Sequence, residues 1–209
     1  MKPYRKSLAH LILSTGVLLQ MSFFDVAAQS KLEDKIGKTT LASVERTYGF
    51  YDNPALLAYV ESIGKKLEAA LPDPPPFAFQ YFLVDTPEPN AFATAGGYVF
   101  VNRGIFPLLD TEDELAGILG HEFTHVLLHH STKKMRRNIL PAILEVPGNL
   151  LGTLHSELLG NLINMPIELT SKTADAAFSR KQEKAADTYG IQIASRAGYD
   201  PAGLQSRIL

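Results

Sequence analysis

Five consecutive residues, His121-Glu122-Phe123-Thr124-His125, constrain this chain more than any other part of it. Residues four apart lie on one face of a helix, so a helix here aims two imidazoles at one point. A helix is what the flanks predict. Thr111-Glu112-Asp113-Glu114 reads as a capping box, with Thr at the cap, Glu three residues on and acids in the first turn. Leu115, Ile118, Leu119, Val126 and Leu127 give the helix an apolar stripe, and the basic run Lys133, Lys134, Arg136, Arg137 suits its negative end. Two neutral imidazoles on one face suit a divalent metal, above all zinc, which takes N and O ligands in a tetrahedron. Glu122 lies beside them, placed to accept a proton from water activated by such a metal.

The chain has no cysteine among its 209 residues, so disulfides, thiolate zinc sites and a cysteine nucleophile are excluded. Any metal here rests on histidines and carboxylates. The formal net charge of -2 leaves no basic excess to hold a nucleic-acid backbone. A chain of this length buries one core, and one catalytic domain over residues 29–209 is expected.

The first 28 residues read as a secretory signal peptide. Lys2, Arg5 and Lys6 open it, Leu8 to Phe24 is mostly apolar, and Val26-Ala27-Ala28 offers small residues for cleavage before Gln29. An uncleaved membrane anchor is the competing expectation. Either places the body of the chain across a membrane, in the periplasm if the source is Gram-negative.

Helical spacing runs from Lys31 to Phe50. A second helix is expected after Asp52-Asn53-Pro54, with Leu56, Leu57, Val60, Ile63, Gly64 and Leu67 on its buried side. The Pro-rich stretch Leu71 to Pro76 ends it. Phe77 to Val84 and Tyr98 to Val101 read as strands of a small sheet, expected antiparallel, with Gly96-Gly97 at a turn. Asn138 to Leu169 is apolar but broken by Pro141, Pro147 and Pro166. One or two short amphipathic helices are expected there, either covering the site or touching a membrane surface, or, as the stronger expectation, packed as ordinary core helices. A last long helix is expected from about Thr173 to Arg196, closed by Gly198, with another starting at Asp200-Pro201. The fold class that follows is α+β, mainly helical with a small β-sheet.

A catalytic zinc needs a third protein ligand and an open fourth position. The pair Glu183 and Asp187, four apart on the last long helix, fits best: one carboxylate can bind the metal while the other holds a histidine. Glu157, Glu168 and Asp175 are rivals.

Beyond the pentapeptide, Ser179-Arg180-x-x-Glu183-x-x-x-Asp187, Asn90-Ala91-Phe92-Ala93-x-x-Gly96-Gly97, Arg103-Gly104, Gly120, His130 and Ala197-Gly198-Tyr199-Asp200-Pro201 form a set. It resembles the zincin-like gluzincin metallopeptidases that include the CAAX prenyl protease and HtpX, and within them the soluble periplasmic branch typified by BepA. The resemblance covers about Lys31 to Leu209. It implies that His121, His125 and Glu183 bind one zinc ion per chain, that Glu122 is the general base, and that Asp187 is the partner of a histidine, His121. It further implies that residues 90–100 form an edge strand on which a polypeptide substrate lies extended, with Asn90, Ala91, Gly96 and Gly97 as candidate substrate contacts. His130 is expected to be structural, and His129 and His155 exposed or partly packed.

Ala185 stands where the family usually has a second Glu. The family also continues past the position of Leu209, with a His- or Arg-bearing segment able to stabilise an oxyanion. A chain truncated before that segment is expected to be slow. The expected activity is hydrolysis of peptide bonds in exported or misfolded envelope proteins. The competing expectation is a zinc-binding, chaperone-like assembly factor with little proteolysis.

Overall fold

The computed structural model describes residues 31–133 and 178–202. The expected signal peptide, the amphipathic stretch Asn138 to Leu169, and Glu157, Glu168, Asp175 and His155 lie outside the described residues.

Helix α1 occupies residues 31–48. Helix α2, Pro54–Ala69, starts as its cap residues predict: the Asn53 side chain accepts a hydrogen bond from the Leu56 N–H at 3.0 Å, and Pro54 fills the first turn. Three strands follow: β1, Gln80–Val84; β2, Ala91–Thr94; and β3, Tyr98–Asn102. A 3-10 turn, Arg103–Leu108, leads to helix α3, Glu112–Leu127. Helix α4, Arg180–Arg196, comes last.

The sheet order is β1-β3-β2. The expected antiparallel pairing of the Phe77–Val84 and Tyr98–Val101 runs is incorrect, because β1 and β3 run parallel. The short strand β2 takes the antiparallel place beside β3, in register Ala91↔Val101 to Thr94↔Tyr98. The edge strand expected over residues 90–100 is therefore confined to Ala91–Thr94, and Tyr98 onward belongs to the central strand. Gly96 and Gly97, at φ +84° and +86°, turn the chain between them, a backbone that side chains resist. The tight turn therefore joins β2 to β3, and β1 is left to approach from the other side. Among the described residues β2 carries no further strand on its outer edge.

Both faces of the sheet are covered. Tyr81, Leu83, Val99 and Val101 join Val60, Ile63 and Leu67 of α2, Leu115, Leu119 and Phe123 of α3, and Ile193 and Ala194 of α4 in one core. Tyr98 and Phe100 point the other way and pack with Val44 of α1, with Phe82 and Phe92 alongside. Alternate residues of a strand face opposite sides, so two covered faces bury every residue of β3. Phe123, inside the pentapeptide, stacks on Phe79 with ring centroids 3.9 Å apart. The middle of the His-Glu-Phe-Thr-His run is thereby pinned in the core while its polar residues face elsewhere.

Local capping sets the helix ends, with three departures from expectation. The Thr111 hydroxyl accepts from the Glu114 N–H, but the Glu114 carboxylate reaches back to the Asp110 N–H at 2.8 Å, one residue before the cap. Helix α3 ends at Leu127 and not at the basic cluster: His129 takes the left-handed conformation, φ 54°, and the chain resumes a helical path over 130–133. Helix α4 starts at Arg180 and not near Thr173, because Ser179 and Gln182 form a reciprocal capping box there.

Helices α3 and α4 lie antiparallel. The Tyr199 hydroxyl and the Asp200 N–H, just past α4, donate to Glu112 and Asp113 at the start of α3. Their crossing is a backbone-to-backbone contact. A Cβ on Gly190 would lie 2.7 Å from the His121 nitrogen, and one on Gly120 would lie 2.7 Å from the Gly190 carbonyl oxygen. Ala186 and Ala194, one turn either side of Gly190, are also buried. Gly190→Ala is expected to force the helices apart and to lower stability by about 1–3 kcal/mol, the usual range for overpacking a tight contact. Urea unfolding of the two proteins checks this, and an unchanged midpoint would show that the crossing tolerates a methyl group.

Candidate metal centre

His121 and His125 project from the same face of α3, one turn apart. Their Nε2 atoms are 3.1 Å from each other. Across the glycine crossing, Glu183, Asp187 and Gly190 share one face of α4. The Glu183 Oε2 comes within 3.5 Å of the His121 Nε2 and 3.8 Å of the His125 Nε2. Asp187, a turn later, places its Oδ1 3.0 Å from the other His121 nitrogen, Nδ1.

Two imidazole nitrogens and a carboxylate oxygen therefore form a triangle with sides of 3.1, 3.5 and 3.8 Å. Tetrahedral zinc with bonds of about 2.0–2.1 Å sets neighbouring ligand atoms about 3.3 Å apart. The triangle matches one face of such a tetrahedron, and a cation between the three atoms satisfies them all.

The protonation states fit as well. An ionised Asp187 only accepts hydrogen bonds, so His121 carries its proton on Nδ1 and turns its Nε2 lone pair into the triangle. His125 is buried. Burial first, then the neighbouring His121 and His130, push its pKa down to about 3. The ring is thus held neutral, the form that ligates metal. Phe178 covers it, with ring centroids 4.2 Å apart.

Glu122 points to the sheet. Its Oε2 accepts the Ala93 N–H at 3.0 Å. That N–H belongs to β2 and faces away from β3, so the carboxylate of the residue next to His121 is held at the open edge of the sheet.

The structure brings His121, Glu122, His125, Glu183 and Asp187 together. Ala91 begins β2, buried opposite Val101, and the Asn90 carbonyl accepts the Asn102 N–H at 2.9 Å. Gly96 and Gly97 occupy the hairpin turn, where Glu33, Tyr98 and Phe77 are their near neighbours. Tyr189 is half exposed.

Some participants were not foreseen. Gly190 supplies the close crossing, and a glycine inside a helical pattern is the signal that marks it. Ala93, quoted only as part of a motif, holds Glu122 through its backbone, which leaves no side-chain trace in sequence. His130, expected to be structural, is buried against His125 with the two Nδ1 atoms 3.1 Å apart, and His129, expected to be exposed or partly packed, is partly buried. What the sequence did not show is their partners, His125 and buried Glu33, the latter at 2.7 Å from His129.

The family model of peptidase family M48 matches residues 54–208. A beta-barrel assembly-enhancing protease of Yersinia pestis is 32% identical over 160 residues, covering 74% of this chain and 32% of the relative. The metalloprotease LoiP of Escherichia coli (strain K12) is 34% identical over 119 residues, 55% of this chain and 44% of the relative. The mitochondrial metalloendopeptidase OMA1 of Schizosaccharomyces pombe is 34% identical over 125 residues, 59% of this chain and 34% of the relative. The chain spans about a third of the length of the beta-barrel assembly-enhancing proteases it matches. With the family model spanning both the His121 helix and the Glu183 helix, this chain belongs to peptidase family M48.

Proposed function

We propose that this chain is a zinc-dependent metalloendopeptidase that cuts peptide bonds in exported or misfolded envelope proteins. The observation that carries the reading is the triangle of His121 Nε2, His125 Nε2 and Glu183 Oε2, with Glu122, next to His121 in the chain, bonded to the edge of β2. A set of two histidines and one glutamate is the ligand type of catalytic zinc peptidase sites. A zinc ion held there supplies Lewis acidity, which acidifies water and polarises a carbonyl.

The chain's own groups do the rest. A polypeptide lies extended along the outer edge of β2, adding a strand whose backbone pairs with the free edge. That pairing lays a peptide carbonyl beside Glu122. A Glu122 carboxylate oxygen takes a proton from the attacking water as the new carbon–oxygen bond forms. The same group then returns that proton to the amine nitrogen as the carbon–nitrogen bond breaks. Asp187 keeps the His121 proton on Nδ1, so the ring cannot turn its lone pair away.

The envelope setting is supported by the leader-like pattern of the first 28 residues and by the relatives named for enhancing assembly of β-barrels, structures that span bacterial outer membranes. Among the described residues no helix is long and apolar enough to cross a membrane.

Two experiments test the reading. Elemental analysis of the purified protein is expected to find about one zinc per chain, lost in Glu183→Ala. In Asp187→Asn, zinc is expected to be retained with affinity weakened about 10–100-fold. A wild type that takes up no zinc after reconstitution overturns the site. Glu122→Gln is expected to keep its zinc and to lose at least about 100-fold in the rate of casein cleavage. Cleavage at the wild-type rate in that variant would refute the proton-transfer role. Zinc binding by the wild type without any cleavage would favour a chaperone-like assembly factor.

A further inference from the structure

The two histidines of the triangle are held differently, and the second one has a partner that no carboxylate supplies. His121 rests on Asp187. The His125 Nδ1 instead faces the Nδ1 of His130 at 3.1 Å, and both rings are almost fully buried. One proton must lie between those two nitrogens. If His125 gives its Nε2 lone pair to a metal, its neutral ring carries the proton on Nδ1, and His130 can only accept.

We propose that His130 is the positioning residue of His125: its Nδ1 accepts the His125 Nδ1–H and holds the His125 Nε2 toward Glu183 and His121. This rests on the metal-site reading above. In an unbroken α3, residue 130 would point well away from residue 125, since five residues turn the helix through about 140° beyond one full turn. The left-handed His129 breaks the helix and brings residue 130 back over the His125 ring, edge to face, with centroids 4.9 Å apart. Buried Glu33 of α1 fixes the returning segment from both sides, taking the His129 Nδ1 at 2.7 Å and the Thr132 hydroxyl at 3.0 Å. The break, the anchor and the buried imidazole converge on one acceptor atom. A metal-bound histidine needs such an acceptor to fix its tautomer and ring orientation.

The test compares His130→Asn with His130→Leu. The Asn Oδ1 stands about where the His Nδ1 does and accepts a hydrogen bond, whereas Leu keeps bulk and accepts nothing. Zinc affinity is read by competition with a chromophoric chelator, and folding by thermal unfolding of the zinc-free proteins. His130→Leu is expected to bind zinc about 10–100-fold more weakly, and His130→Asn to recover most of that loss. Equal affinity in His130→Leu and wild type, or equal loss in both variants, overturns the inference. Because His130→Leu can misfold, the imidazole nitrogen–proton NMR spectrum of the zinc-loaded wild type decides separately. It is expected to place the proton of His125 on Nδ1 and that of His130 on Nε2, and a proton on the His130 Nδ1 refutes the arrangement. A wild type that binds no zinc removes the metal site and this inference together, whereas intact zinc binding with the wrong tautomer removes this inference alone.

Discussion

The contact between Gly120 and Gly190 is the constraint on which the rest of the structure depends. Helices with ordinary side chains between them pack about 8–10 Å apart, and long side chains must then bridge the gap. Here backbone meets backbone, and a single methyl at either position would collide with the opposite chain. That approach lets a short Asp side chain on α4 reach the His121 Nδ1, and a Glu one turn earlier reach both Nε2 atoms. It also decides which residues of α4 are small: Ala186, Gly190 and Ala194 form the buried stripe, while Glu183 and Asp187 flank it.

The sheet contributes a second kind of positioning. Phe123 is inserted into the core beside Phe79, so α3 cannot rotate without tearing an aromatic stack from its place. With that rotation fixed, Glu122 must look toward β2, and the Ala93 N–H is there to receive it. The edge of a sheet exposes backbone groups that seek partners. Here one of those groups is already paired with the acid of the site, which couples the position of the acid to the position of the strand.

Much of this could be read from residues before any coordinates, and the limits have physical reasons. The histidine pair, its helix and the caps at Asn53 and Thr111 are local patterns, set by a period of 3.6 and by side chains that reach three residues. Glu183 and Asp187 were legible as a pair by the same period, but choosing between them needed a family resemblance, because spacing does not say which helix face meets which. The parallel pairing of β1 and β3 was not legible: the Ala91 to Thr94 run has little strand character by composition, and the resemblance that implied one edge strand over residues 90–100 does not reveal that this stretch is a hairpin folding β2 back onto β3. The end of α3 was misplaced because His129 adopts a left-handed backbone that its side chain does not announce. His130 was expected to be no more than structural for the same reason. Its role follows from the break, which the helical period cannot foresee.

The family model matches from residue 54, yet the described fold begins earlier. Helix α1 precedes that point and supplies Val44 to the aromatic face of the sheet, where Tyr98 and Phe100 are buried. It also supplies Glu33, the carboxylate that ties down the chain after His125. The stretch that the family model matches and the stretch that packs together are thus different lengths of this polypeptide. A piece trimmed to residues 54–208 would carry the whole His121, His125, Glu183 and Asp187 cluster, and would bare an oily wall on the far side of the sheet.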